Sequence, residues 1–210
     1  YRSDERTEGI AALAERGDGK LRFAHDKLRE LIYADIEEVT RPSMHHQAAA
    51  AMETHGDRER LLPILAHHYT VAGVRDKALE YHVAAGEQAL ASSDSREARR
   101  HFEAALSLGR DEEAHTRARW ERRLGEACYN QGDLETAKTH LVKALEHLDV
   151  QVKLPLLDSP DRAHTLASVR AVAGQLRRAV GLEAAPPSSS ARDRDRAREA
   201  ALAAERLSQV

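Results

Sequence analysis

The chain is poor in the residues that most small folds lean on. Aromatic side chains make up 4% of its 210 residues, cysteine occurs once, and no apolar run is long enough to span a bilayer. A core with few rings must be built from Ala and Leu, which suit close helix packing better than a pleated sheet, so the expected class is all-α. The single cysteine, Cys128, excludes an intrachain disulfide and fits a reducing compartment, with cytoplasm the expected location. Charge of one sign is also missing. A formal net charge of −3 gives no global attraction to nucleic acid or to an anionic membrane, and neither is expected as a partner. The opening "YRSDERTEGI" lacks the basic-then-apolar order of a signal peptide. The chain begins without Met and closes inside a helical pattern, which reads as a segment of a longer protein.

What is present is 41% hydrophobic and 32% charged, a globular balance, with helical periodicity almost throughout. The exception is 17–24, where "GDGK" supplies turn residues and "LRF" alternates like a short strand or wing. After His25 the spacing changes. Leu28, Leu31, Ile32 and Ile36 fall on one helical face, and Pro42 then opens another helix with Met44, Ala48 and Met52 on its apolar side. Further helices are predicted over 59–72, 76–91, 94–109, 113–131 and 134–148, joined by the turn-forming stretches "GVRD", "SSDS", "GRDEE" and "QGD". Such short connections force neighbours to pack antiparallel. Asp94 followed by Glu97 has the spacing of a capping box, in which each carboxylate accepts a free N–H of the first turn.

Two hairpins superpose on each other. "GEQALASSDSREARRHFEAAL" from Gly86 and "GEACYNQGDLETAKTHLVKAL" from Gly125 share Ala at the thirteenth position, a large apolar residue at the seventeenth and Ala-Leu at the end. Ala98 and Ala137 are therefore expected where helices cross closely, Phe102 and Leu141 in the groove between them, and Ala105 and Ala144 where the next hairpin docks. The second copy resembles the tetratricopeptide repeat through Leu124, Gly125, Tyr129, Gly132, Ala137, Leu141 and Ala144. It departs from that pattern at Glu121, where the family favours Trp; Trp120 is one residue off. A third copy, out of register, runs from Leu65 through Tyr69, Gly73, Ala78 and Ala85. The array is interrupted after 150. Ser159-Pro160 is expected to start a helix reaching about Val180, "EAAPPSSSA" reads as a linker, and "RDRDRAREAALAAERL" as the first helix of another repeat.

Signals for chemistry are few. "GDGK" has glycines and a lysine but neither the spacing nor the Ser/Thr of a phosphate-binding loop. His45-His46 and His67-His68 are adjacent pairs, and neighbours on a helix point about 100° apart, so neither pair chelates one ion as an i, i+4 pair does. They read as surface or interhelical histidines. No nucleophile motif accompanies Cys128, a small core residue by its setting, and the alternating charges of 192–198 cancel as a solvated helix start. No catalytic residue and no metal site are expected.

One stretch adds a resemblance. "RFAHDKLRELIY" is similar to the end of the winged-helix domain in signal-transduction ATPases with numerous domains, the STAND class. "LLPILAHHYTVAGVRDKALEYHVAAGEQAL" is similar to the helical region that follows in their bacterial members. The resemblance implies four parts: the end of a winged-helix domain over 1–40, tetratricopeptide-like repeats over 41–150, a spacer over 151–190, and the first helix of a further repeat over 191–210. It also implies that His25 and Asp26 stand where a His-Asp pair meets the β-phosphate of ADP in the parent protein. Read from the residues alone, Asp26 caps the helix and His25 packs at its start. This segment would itself hold no cofactor, the parent binding ATP or ADP with Mg²⁺. Its partners would be a protein or peptide on the concave face of the repeats and the ATPase domain of the same chain. The parent's output domain would be a kinase, a cyclase or a DNA-binding module. The rival expectation is a stand-alone scaffold with no link to nucleotide.

Overall fold

Small residues and local turn chemistry decide the architecture. The computed structural model describes residues 14–17, 20–23, 26–148, 191–207 and 209–210. Strands β1 (Ala14–Gly17) and β2 (Lys20–Phe23) form an antiparallel hairpin that pairs Gly17 with Lys20 at its closed end. All other regular structure among the described residues is helical: α1 (Asp26–Asp35), α2 (Arg41–His55), α3 (Arg58–Val71), α4 (Arg75–Ala91), α5 (Ser95–Leu108), α6 (Ala114–Asn130), α7 (Leu134–His147) and α8 (Ala191–Leu207). Between residues 58 and 147 the ends fall within one residue of the sequence expectation. None of the described helices is long and apolar enough to cross a membrane.

Three turns share one device. After α3, α4 and α6 the chain places Gly73, Ser93 and Gly132 at φ +71°, +64° and +80°. In each turn the next N–H reaches five residues back, from Val74 to Tyr69, Asp94 to Ala89 and Asp133 to Cys128, at 2.8–3.0 Å. This Schellman closure satisfies helix-end carbonyls and reverses the chain. Ser93 takes the left-handed conformation without being glycine, at an energetic cost that its two glycine counterparts avoid. Each turn leads straight into a new helix. Asp94 accepts from the Glu97 N–H at 3.2 Å, and Asp133 from the Thr136 N–H at 3.3 Å. Only half of the expected capping box forms. The Asp94 N–H is already taken by the Schellman bond, and the Glu97 carboxylate turns outward to Arg100 at 2.6 Å.

Consecutive helices run antiparallel, as contacts between opposite ends show. Gln88, late in α4, donates to the Glu59 carbonyl early in α3 at 3.0 Å, and Arg75, first in α4, donates to the Leu108 carbonyl that ends α5 at 2.8 Å. The first bond repairs a defect. Pro63 lies inside α3 and has no N–H to offer Glu59, so the Gln88 amide takes its place.

The core forms three clusters. The first joins Ala49, Leu65, Ala66, Tyr69, Ala78 and Tyr81 from α2, α3 and α4. A second, between α4 and α7, includes Ala98, Phe102, Ala105, Trp120, Leu124, Cys128 and Ala137. A third brings Leu141, Ala144 and Leu145 of α7 against Ala200, Ala203, Ala204 and Leu207 of α8. The repeat spacing has a steric basis. A Cβ on Gly86 would sit 2.9 Å from the Phe102 ring, and one on Gly125 would sit 2.9 Å from Leu141 Cγ. In both hairpins the large residue of the second helix rests on bare backbone of the first.

The sequence reading needs correction near the start. Met44 was expected on the apolar side of α2, but it is exposed; the buried positions are His45 and Ala49, one residue further on. On α1, Leu31 and Ile32 are exposed as well, although the spacing predicts a buried face. Periodicity registers an apolar stripe without showing whether a partner covers it. His25, the turn residues Asp18 and Gly19, the Asp26 side chain, and the 151–190 spacer with its Ser159-Pro160 helix start lie outside the described residues; the Asp26 backbone opens α1.

Candidate functional site

A groove of about 1090 Å³ runs between α4, α6 and α8. These helices reach it because α5 and α7 fold back behind them. Leu79, Val83, Trp120 and Leu202 give its lining an apolar component, while charged side chains of both signs supply the rest. The charges form a lattice. Glu87 of α4 pairs with Arg119 at 3.1 Å and with Arg123 at 2.7 Å, both on α6. Arg123 passes the network on to Glu126 at 3.2 Å, and Arg206 of α8 meets the other Glu126 oxygen at 3.1 Å. Arg122, nearly buried, meets Glu199 of α8 at 2.7 Å. Burial opposes the charge on Arg123, yet Glu87 and Glu126 outweigh it and raise its pKa. The groove lining carries seven carboxylates against five guanidiniums, an acidic excess in a strongly patterned surface, and one guanidinium, Arg206, also lies over the Tyr129 ring at 5.0 Å.

Trp120 and Glu121, at the point of departure from the repeat pattern, both acquire roles. Trp120 is buried and packs on Gly109, where a Cβ would come within 2.4 Å of its ring. Glu121 is buried too and meets His140 of α7 at 2.6 Å, a polar clasp between the two helices of this hairpin. Leu124, Gly125, Ala137, Leu141, Ala144, Ala98, Phe102 and Ala105 are all buried; Gly132 forms a turn and Tyr129 is partly buried.

A second polar region was missed by sequence reasoning. Glu53 of α2 accepts hydrogen bonds from Tyr69 at 2.8 Å, from Lys77 at 3.1 Å, and from Tyr81. Burial works against its charge, but the bonds from Tyr81, Tyr69 and Lys77 together hold its carboxyl at about 2. Burial and the same carboxylate push the Tyr81 hydroxyl up to about 12. The two tyrosine rings stack, with centroids 5.5 Å apart and planes 4° from parallel. Histidines also meet across helices. His45 of α2 faces His68 of α3 with Nδ1 atoms 2.9 Å apart, and His82 of α4 faces His101 of α5 at the same distance. His46 and His67 remain exposed. An alternation of His with apolar residues on successive helices is the faint signal that sequence offers; the pairing itself depends on how the helices are rotated.

Among the described residues no group of three or more His, Cys, Asp or Glu side chains is placed to hold a metal ion. Cys128 is fully buried, and burial pushes its thiol pKa up, away from the nucleophilic thiolate. Comparison with protein-family models, curated proteins and solved structures finds no match to this chain.

Proposed function

We propose that this chain is a regulatory interaction segment of a larger nucleotide-switched signalling ATPase: the end of a winged-helix domain followed by a tetratricopeptide-like superhelix. The observation that carries the reading is the groove between α4, α6 and α8, a patterned surface built from alternate helices of an antiparallel array. Such a surface suits a protein or peptide whose charges exchange with the Arg and Glu lattice while an apolar side chain meets Val83 and Leu202. Occupancy of the groove biases the upstream nucleotide switch through the β1–β2 hairpin and α1, coupling two distinct sites. In the parent, ATP or ADP with Mg²⁺ occupies the ATPase domain, and His25 reaches the ADP phosphate across the closed interface. A charge-assisted hydrogen bond of that kind is worth about 1.5–3 kcal/mol, enough to move a switch poised within a few kcal/mol.

The test uses the full-length protein. Reversing the groove charges with Arg119→Glu and Arg123→Glu is expected to change ADP release and output, and His25→Ala to speed ADP release. Unchanged ADP off-rates in both variants overturn the reading. The isolated chain is expected to bind ATP or ADP weakly. A micromolar Kd by calorimetry, about −8 kcal/mol, demands a formed phosphate site and contradicts the assignment of nucleotide to another domain.

A further inference from the structure

The histidines of α4 and α5 belong to a chain of hydrogen bonds in which each proton position is fixed by its neighbour. Thr70 of α3 donates its hydroxyl proton to the Ala66 carbonyl at 2.7 Å, as helical threonines do. Its oxygen is then an acceptor, so His82 Nε2, 3.0 Å away, must carry a proton. A neutral His82 therefore presents a bare Nδ1, and His101 Nδ1, facing it at 2.9 Å, must be the donor. That leaves His101 Nε2 bare, and the Arg100 guanidinium, which has only donors, lies 3.2 Å from it. Every contact holds one proton. The order Arg100, His101, His82, Thr70, Ala66 assigns both tautomers without remainder.

The relay has no place for another proton. One added to His82 Nδ1 would point at the N–H of His101, and one added to His101 Nε2 would point at Arg100. Among the described residues, Glu97 is the only carboxylate close enough to welcome such a charge, 3.7 Å from His101 Nε2, but it is already engaged by Arg100 at 2.6 Å. From α3, His67 adds to the field that opposes a positive charge on His82. Both rings are buried, out of reach of water that would disperse a new charge.

We propose that the His82–His101 relay is an acid-sensitive latch: it holds α4 between α3 and α5 while both imidazoles are neutral and releases that packing when either gains a proton. The consequence reaches the groove, because α4 supplies one of its walls through Asp76, Leu79, Glu80 and Val83. Burial, together with His101 and Arg100, lowers the His82 pKa to about 4; burial and Arg100 lower that of His101. The sign follows. A histidine whose folded pKa lies below its unfolded value of 6.5 leaves stability intact above 6.5, and the contribution is lost as pH falls from 6.5 toward about 4. His45 and His68 form a similar contact one helix pair earlier, with Tyr33 3.0 Å from His45 Nε2, so α2 and α3 carry an acid response of their own.

The experiment reads α4 and α5 separately from that second pair. In the 210-residue chain, imidazole ¹⁵N spectra are expected to show His82 protonated on Nε2, His101 on Nδ1, and neither gaining charge until pH is well below 6. Amide exchange, corrected for the intrinsic pH dependence, is expected to lose roughly ten- to thirtyfold of protection in α4 and α5 between pH 7.5 and 5.0, and much less in α6 and α7. The double variant His82→Gln with His101→Asn keeps amide donors near the two ring donors without a titrating group, and it is expected to abolish the selective loss. The opposite tautomers, titration of either ring near 6.5, or a selective loss that persists in the variant overturns the latch. If the variant does not fold, the wild-type spectra alone decide.

Discussion

The two ends of the helical array are held together by different chemistry. Around α2 to α5, the apolar cluster of Ala49, Leu65, Ala66 and Ala78 is joined by polar contacts that cross between helices: a carboxylate with two tyrosines and a lysine, and imidazoles that share protons. Around α6 to α8, Leu141, Leu145 and Leu207 interlock with Ala144, Ala200, Ala203 and Ala204, and apart from the Glu121–His140 clasp the ion pairs run along the groove. Alanine seams are indifferent to pH and let helices approach closely. Buried hydrogen-bonded networks fix one relative rotation of the helices, but they fail when a proton is added or withdrawn. The molecule therefore has one end tuned by acid and one end tuned by packing.

Truncating the apolar seam should produce the largest effect. Leu141→Ala removes a fully buried side chain that rests on Gly125 and touches both the α6 and α8 sides, and is expected to cost about 2–5 kcal/mol, equally at pH 7 and pH 5. Denaturant midpoints at the two pH values check this; a cost that changes markedly with pH breaks the contrast. Next comes Glu53→Gln at the other end, which leaves the Lys77 ammonium with only the more distant Glu80 carboxylate, 3.7 Å away, and weakens two tyrosine bonds. A loss on the order of 1.5–3 kcal/mol is expected at pH 7. The wild-type contribution is complete above pH 4.5 and disappears as pH falls toward about 2, because the Glu53 carboxyl is held below its ordinary value of 4.5. The stability curves of variant and wild type should accordingly converge in that window, and parallel curves would remove Glu53 from the polar core.

Overpacking gives a smaller change. Ala137 is fully buried in the second cluster, and its carbonyl lies 3.2 Å from the place a Gly125 Cβ would occupy. Ala137→Leu is expected to cost roughly 1–3 kcal/mol, read as a lower thermal midpoint. An unchanged midpoint would mean that α6 and α7 do not cross there. Smallest is Arg119→Ala, since Arg119 is half exposed and Arg123 still serves Glu87. A loss of less than about 1 kcal/mol, shrinking further in high salt, is expected.

How far the sequence reaches is clearest at particular residues. Gly73 and Gly132 mark turns because glycine enters the left-handed region without a Cβ clash; Ser93 enters the same region with no glycine to announce it, and the polar stretch "SSDS" between two helical patterns reveals the turn. The spacing of Gly86 to Phe102 and of Gly125 to Leu141 is visible as a repeat, since one hairpin contains both partners. The groove is legible only as the expectation of a concave face. Its lattice requires Arg122 to find Glu199, 77 residues further along the chain, and no local pattern encodes that meeting.

By itself, then, the sequence determined the helices, their ends, their antiparallel order and the small residues at which they cross. All of these follow from propensities, turn chemistry and sterics that act within one hairpin. Tertiary structure decided which face of each helix is buried and which polar groups meet. His45 faces inward where Met44 was expected, Leu31 and Ile32 remain exposed, and His82 finds His101. The reason is geometric. Successive residues on a helix point about 100° apart, so a small rotation of one helix against the next, set by the sum of all its contacts, exchanges one inward residue for its neighbour.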